Sequence, residues 1–386
     1  MGADFGNPFF MEKRMRKLLL ATSALVAFAG AAQAAESPIQ VTLGGSVDFR
    51  AAMFQESEKL MAGVNTGRRG SDFNTGYELT VAAEGKAANG ITYGASVNLD
   101  NDQARAADGQ SVVMDNAYVW VAGTFGKVQM GDEHGASLLF VYAPTVGENQ
   151  IDGYYTNFVD STTLARFQPT YVSMTEDTTK VTYFTPKVGN ANHKVQLGVS
   201  YVPNAEQGTT VSLYDDVKGY KNQTEVAAQY TGKFDALSVT VSPMMTTGQG
   251  EGDKNTVASR DYTTWGLGAQ VAYAGFTVGG SYVDAGHMNT TTAQTDDQDV
   301  WTAGVRYGFD KVTVAANYMN GQGYYNTLVG ADAYVEDFDA IGLGATYTWF
   351  PGLATAADAV FFDQDRAGTT SSNKGHVLML SQKMSF

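Results

Sequence analysis

The feature that most constrains the fold is an alternation of period two with one apolar and one hydrophilic side. In the stretch WTAGVRYGFDKVTVAANY, the side chains of Trp301, Val305 and Phe309 fall on one side, and Arg306 falls on the other among Thr and Gly. Successive side chains of a β-strand point to opposite faces of its sheet. The stretch therefore predicts a hairpin that turns at Asp310 and has one apolar and one wet face.

The same alternation recurs along the chain, for example in residues 195–201, 265–273 and 341–349. We predict sixteen strands in all, an even number, joined alternately by short turns and by long loops rich in Asp, Asn, Thr and Gly. Short turns at one end and long loops at the other are typical of an up-and-down transmembrane β-barrel. The sequence thus predicts an all-β, 16-stranded antiparallel transmembrane β-barrel with short periplasmic turns and long external loops.

The hydrophilic face decides between this barrel and a soluble β-sandwich, which also alternates. That face is rich in Gly and small polar residues, which could not fill a dry core at protein density. The apolar rows end in aromatic residues, as with Trp265 and Tyr273, whose spacing of ~20 Å across a tilted strand suits two aromatic girdles. We therefore expect the apolar face to contact lipid and the wet face to line a lumen.

The first 34 residues have the pattern of a secretory signal peptide. Met15 and two basic residues precede a short apolar run, and Ala32-Gln33-Ala34 provides a small-x-small exit. We predict that residues 1–34 are an N-terminal extension and a cleaved signal peptide, and that residues 35–386 form a single barrel domain. Cysteine is absent, which excludes disulfides and thiolate sites.

Both ends of the barrel region resemble the general (non-specific) porins of Gram-negative outer membranes, particularly the α-proteobacterial type. The last strand, GHVLMLSQKMSF, is amphipathic and ends in Phe386, and the first strand contains VTLGGSVDFRAAMF. DNAYVWVAGTFGKVQMGDE resembles the fourth hairpin turn of these porins, and ATYTWFPGL resembles their last short turn. The resemblance implies a homotrimer in the outer membrane, in contact with lipid and lipopolysaccharide. It also implies that the barrel-assembly machinery reads Phe386 as its signal.

The resemblance further implies that the third external loop folds into the lumen and narrows it. The longest non-strand region, residues 133–178, takes that place and carries acids that include Glu133, Glu148, Asp152 and Asp160. In such porins, loop acids oppose basic residues on the wall and produce a transverse field. The wall candidates, on the wet face or at its edge, are Arg50, Arg306 and Asp132, the last standing where a basic residue is usual.

Charge and composition reduce the number of functions that the sequence is compatible with. The net charge of −15 argues against nucleic acid and favours cations as partners. The four histidines are scattered without ligand spacing, so we predict no catalytic centre and no cofactor. Ca²⁺ bound by the acidic segments TDDQDV and GEGDKN is a minor alternative.

The predicted function is therefore passive diffusion of small hydrophilic solutes and ions, with a preference for cations. Three alternatives stay open: a substrate-selective channel, a non-channel barrel acting as an adhesin or anchor, and a secreted sandwich protein that binds glycans. A selective channel would show aromatic residues along the lumen. Tyr118 and Trp120 are the candidates, although the sequence does not settle which way they face.

Overall fold

The computed structural model describes residues 37–57, 69–101, 112–147, 150–151, 153–159, 169–170, 172–173, 175–204, 219–251, 259–288, 298–326, 333–366 and 372–386. The predicted leader, residues 1–34, lies outside these ranges. The strands are β1 Ser37–Glu56, β2 Ser71–Lys86, β3 Thr92–Asp100, β4 Val113–Gly123, β5 Gly126–Asp132, β6 Thr179–Phe184 continued by Val188–Gly189, β7 His193–Asn204, β8 Gly219–Phe234, β9 Leu237–Glu251, β10 Tyr262–Tyr273, β11 Phe276–Gly286, β12 Gln298–Phe309, β13 Val312–Asn326, β14 Ala333–Phe350, β15 Leu353–Arg366 and β16 Asn373–Ser385.

Each strand pairs antiparallel with its neighbours in the sequence, and β1 pairs with β16 to close the barrel. At the closure, Gly45 and Phe386 exchange two backbone hydrogen bonds of 3.0 Å each. Closure leaves no sheet edge, which a sheet within lipid requires. The predicted closed 16-stranded antiparallel barrel is confirmed, with β6 interrupted at Pro186, which lacks the N–H that the ladder needs.

Tight turns join the strands at one end, which we call the turn end; the other is the loop end. In the β10–β11 turn, Ala274 and Gly275 both have positive φ, at 49° and 86°. Two such residues form the type I′ turn whose twist matches the flanking strands. Asp235 and Asp310 also adopt positive φ, at 54° and 50°, at the corresponding turns.

The two faces of β12 have the predicted orientation. Trp301, Val305 and Phe309 expose 38, 38 and 48% of their surface on the outside, whereas Thr302 and Arg306 expose 3 and 7% on the inside. The apolar rows thus cover the outer surface of the barrel. The buried hydrophobic cluster lies inside it, where the segment after β5 packs against the wall.

Outward aromatic residues gather at both ends of the apolar surface. At the turn end, the rings of Phe276 and Tyr307 stack with centroids 4.2 Å apart. At the loop end, Trp301 packs against Tyr318 at 4.8 Å. Aromatic girdles at both interfaces are typical of outer-membrane barrels. Within the described ranges, no helix has the length and apolar character to cross a bilayer.

Candidate pore and inner loop

The described part of residues 133–178, which we call the inner loop, lies inside the barrel. It includes two short 3-10 helices, Ala136–Leu139 and Tyr154–Phe158. Polar side chains of the wall hold its backbone: Ser242 Oγ accepts from Val141 N at 2.8 Å, and Thr302 Oγ1 accepts from Ala143 N at 3.0 Å. The small polar residues of the wet face therefore serve as hydrogen-bond partners for this segment.

Further contacts hold the inner loop against most of the inner wall of the barrel. Gln229 Nε2 on β8 donates to Leu139 O at 2.8 Å, and Asn317 Nδ2 on β13 donates to Gln150 Oε1 at 2.7 Å. On β1, the ring of Phe54 packs against Phe158 with centroids 5.9 Å apart. The loop consequently covers the inner face from β7 round to β1.

Glu225 on β8 binds both ends of the inner loop. Its Oε2 accepts from Ala136 N at 2.9 Å near the start, and its Oε1 accepts from the hydroxyls of Ser173 and Thr175 near the return. Glu225 itself is fully buried. A buried carboxylate is stabilised only when hydrogen bonds replace its water, so these donors and the carboxylate depend on one another.

Lys180 at the start of β6 supports the same region. Its ammonium donates to the backbone oxygens of Glu133 and Thr175, and to that of Glu176 at 2.7 Å. Lys180 also lies close enough to Glu225 to interact electrostatically. The beginning and the end of the inner loop are therefore joined to each other and to the wall.

The inner loop divides the lumen face into two parts. The covered wall consists of the inward residues of β7–β16 and β1, which are mostly buried, such as Ser242 and Thr302. The open wall consists of inward residues that remain partly or fully exposed on β2–β4, among them Thr80, Ala82, Glu84, Gly94, Ser96, Tyr118 and Trp120. The open wall is therefore the part of the lumen face that the described residues of the inner loop leave unburied.

Arg50 lies beneath the inner loop. It exposes only 1% of its surface, forms an ion pair with Asp48, and donates to Asn74 Oδ1 at 3.5 Å. Its guanidinium stacks 3.6 Å from the ring centroid of Tyr154. The structure therefore places Arg50 on the inside, as the alternation predicts, and compensates its charge through Asp48.

The other wall candidates are also buried. Arg306 Nη1 donates to Thr145 O of the inner loop at 3.4 Å. Asp132 accepts from the hydroxyl of Thr179 on the neighbouring strand and exposes 6% of its surface; Glu133 exposes 3%. These placements do not bring a free loop acid opposite a free wall cation.

Three predicted constriction acids, Glu148, Asp152 and Asp160, lie outside the described residues. The transverse field that they would produce with Arg50 and Arg306 stays a prediction. The acidic segments proposed as Ca²⁺ sites also lie largely outside the described ranges. Within those ranges, no group of three or more His, Cys, Asp or Glu side chains is arranged to hold a metal ion.

The structure settles the orientation of Tyr118 and Trp120. Val119 between them exposes 50% of its surface on the outside, so Tyr118 and Trp120 face the lumen. A bulge between β3 and β4, at the Asn98 to Leu99 step, shifts the register just before them. The extra residue in β4 means that counting alternate positions from the beginning of the strand gives the wrong face for Tyr118 and Trp120. This explains why the sequence does not settle their orientation.

Lys127 on β5 completes this part of the lumen. Its ammonium lies 5.7 Å from the ring centroid of Tyr118 and 5.4 Å from that of Trp120, within the range of weak cation–π contacts. Trp120 packs over Gly94, where an added Cβ would approach Trp120 Cε2 to 2.8 Å. Sequence reasoning did not single out Lys127, although its place beside a short turn was a usable signal.

A closed barrel with an apolar outside, two aromatic girdles and a polar, loop-lined inside defines an outer-membrane channel protein. A comparison with protein families is consistent with this class: the Gram-negative porin family model matches residues 21–367. The chain therefore belongs to the Gram-negative porins. No curated protein matches the chain significantly in sequence.

Solved porin structures share the fold. A loop L8 deletion mutant of OmpT, an outer membrane protein of Vibrio cholerae, matches with a TM-score of 0.56 and 16% identity over 90% of this chain and 99% of its own. An anion-selective porin from Comamonas acidovorans gives 0.56 and 13%, covering 90% and 100%. A porin refined at 1.8 Å resolution gives 0.53 and 18% with the same coverage. At such identities, the likeness concerns the fold alone.

Proposed function

We propose that this porin is a passive diffusion channel for small hydrophilic solutes and ions, without a catalytic role. One observation carries the proposal: the inner loop packs against one side of the lumen and leaves the open wall of β2–β4 partly exposed. The route through the barrel then runs between the inner loop and this wall. Exclusion follows from the width of that route, and no conformational step is required.

A preference for cations is supported by charge. The chain carries 40 acidic against 25 basic residues, and charged mouths concentrate counter-ions. On the covered wall, Arg306 is buried beneath the inner loop and the charge of Arg50 is compensated by Asp48, so neither guanidinium presents a free charge to passing ions. The anion selectivity stated for the Comamonas acidovorans porin belongs to a protein only 13% identical and is no guide here.

A substrate-selective channel is the second candidate, and Tyr118 and Trp120 favour it. Both rings lie two residues apart on the open wall and remain partly exposed. Aromatic faces can stack on flat or apolar faces of passing solutes. A selective channel would saturate at high solute concentration, whereas a general diffusion channel would not.

The assembly is proposed from the relatives. One solved OmpT structure is described as a trimer form, which supports a homotrimer for this chain. The exposed apolar outer surface supports contact with lipid and lipopolysaccharide. The C-terminal Phe386, 41% exposed beside the closing strand pair, supports recognition by the barrel-assembly machinery. Membership of the α-proteobacterial group rests on the sequence resemblance alone.

The test is single-channel recording of the purified protein in a planar bilayer, with the reversal potential measured under a salt gradient. We expect a steady conductance that does not saturate with solute concentration, and a reversal potential whose sign indicates a preference for cations. This preference should weaken as the salt concentration increases, because salt screens the charges. Absence of conductance would exclude the channel. Saturation by a particular solute would favour the selective channel instead.

A further inference from the structure

Lysines face inward where strands meet the turn end of the barrel. Lys86 is the last residue of β2, and Lys127 is the second residue of β5. Both belong to one cross-strand row that runs through Thr92 and Ala122 to Phe184, whose ring is buried in the inner cluster. Residues in one row share a face of the sheet, so both lysines face the lumen.

Two neighbouring strands continue this arrangement. Lys194, the second residue of β7, alternates in step with inward Ser200, and Lys233, near the end of β8, alternates in step with inward Gln229. We call Lys86, Lys127, Lys194 and Lys233 the lysine rim. Within the described ranges, no carboxylate forms an ion pair with Lys86, Lys194 or Lys233, all of which are exposed. Glu84 on the same face, and Asp235 and Asp310 in turns at the same end, are three acids against the four lysines, so the rim stays net positive.

The loop end has the opposite character. Asp100 and Glu251 terminate β3 and β9 at this end. Three of its described cations lie in ion pairs: Arg69 with Asp72 at 3.2 Å, Lys221 with Glu251 at 3.1 Å, and Lys374 with Asp363 at 2.5 Å. More carboxylates project from the outer face of the same strand ends, at Asp284, Asp299, Asp337, Asp339 and Asp365.

We propose that the channel is electrically asymmetric along its axis, with an acidic loop-end mouth and a basic mouth formed by the lysine rim. This inference rests on the proposed diffusion function and adds a direction to it. The apolar belt separates the mouths by ~20 Å, and the Debye length is ~10 Å at 0.1 M salt, so each mouth sets its own local ion concentrations. Cations enter readily at the loop end, and small anions enter readily at the turn end.

The asymmetry produces rectification, which means that the current at one polarity of the voltage is larger than the current at the opposite polarity. When the loop side is positive, each ion type is driven in through the mouth that attracts it, so carriers accumulate in the lumen. The opposite voltage depletes them. One charge ~8 Å from the axis changes the local concentration of a monovalent ion about two-fold in water, so the ratio of the two currents is expected to be about two. At 1 M salt, where the Debye length is ~3 Å, the ratio should approach one.

The test compares current–voltage curves at 0.1 M and 1 M KCl for the wild-type protein and the variant K86Q/K194Q/K233Q. Lys127 is left intact because it packs against Tyr118 and Trp120. The matched control, R69Q/K221Q/K374Q, removes three cations from the loop end. Orientation in the bilayer is assigned with Ser71→Cys at the loop end and an impermeant thiol reagent, because the chain has no other cysteine.

We expect rectification in the wild type, its loss in the rim variant and its retention in the control. A reversal potential measured with dilute salt on the loop side should show stronger cation preference than one with dilute salt on the turn side. Symmetric currents at 0.1 M, or rectification unchanged in the rim variant, would overturn the asymmetry while leaving the diffusion channel in place. Absence of conductance would overturn both.

Discussion

The covered wall and the open wall belong to one sheet and share its alternation, yet they do different things. On the covered wall, hydroxyls and amides such as Ser242 and Gln229 bind the backbone of the inner loop and become buried. On the open wall, residues of the same types, such as Thr80 and Ser96, stay in contact with the lumen. An inward polar residue of this barrel is therefore either a loop anchor or part of the route, and only the path of the inner loop decides which.

The comparison explains why inner charges differ in role. A charge beneath the inner loop, such as Glu225, is satisfied by buried donors and contributes to structure. A charge on the open wall, such as Glu84, stays exposed, so we expect it to act on passing ions. Substitutions on the covered wall should consequently alter stability first, and substitutions on the open wall should alter permeation first.

Glu225→Ala should have the largest effect. It removes the acceptor for Ala136 N, Ser173 and Thr175, and it takes a nearby counter-charge from buried Lys180. Breaking a buried network of this kind costs about 3–5 kcal/mol. We expect a lower unfolding temperature in detergent, together with a higher and noisier single-channel conductance as the inner loop leaves the wall.

Glu84→Ala is the matched control, since it removes the same side chain from the open wall. It should change the unfolding free energy by less than ~0.5 kcal/mol, because an exposed residue without buried partners contributes little. If both variants unfolded at the same temperature and conducted alike, the distinction between the two walls would be wrong.

Adding a larger side chain to each wall should have smaller effects. On the covered wall it should lower stability, and on the open wall it should lower conductance. At Gly268, a Cβ would stand 1.7 Å from the backbone oxygen of Val141 in the inner loop. Gly268→Leu should therefore displace the loop and cost about 1–3 kcal/mol. Ala82→Leu adds the same side chain type to the open wall, where it should reduce conductance and leave the unfolding temperature unchanged. Thermal unfolding and channel recording of both variants check this.

The outside of the barrel could be predicted from sequence because lipid imposes a simple rule. Positions that face lipid are predominantly apolar, so rows such as Trp301 to Phe309 give a clear period of two. The number of strands, their direction and the girdles follow from that period and from the turn lengths. The sequence leaves the orientation of Tyr118 and Trp120 open for a local reason, since the bulge that precedes them changes the register without a signal in the alternation.

The inside was harder because it is specified by contacts between residues distant in sequence. Arg306 was correctly placed on the inner face, but its burial depends on Thr145, which lies 161 residues away. The alternation fixes the side of the wall and carries no information about the path of the inner loop. Likewise, Glu225 looks like any polar residue in a wet row until the loop brings Ala136 and Ser173 to it.

The smallest expected effect concerns ion preference, which should respond to charges on the open wall more than to charges on the covered wall. Glu84→Gln removes a hydrated negative charge from the open wall and should lower the cation-to-anion permeability ratio by up to about two-fold at 0.1 M salt. Arg306→Gln removes a positive charge that is buried beneath the inner loop, where the guanidinium donates to Thr145 O. It should raise the ratio by less than Glu84→Gln lowers it. Reversal potentials of the two variants under one salt gradient measure this, and a larger shift for Arg306→Gln would mean that ions pass along the covered wall.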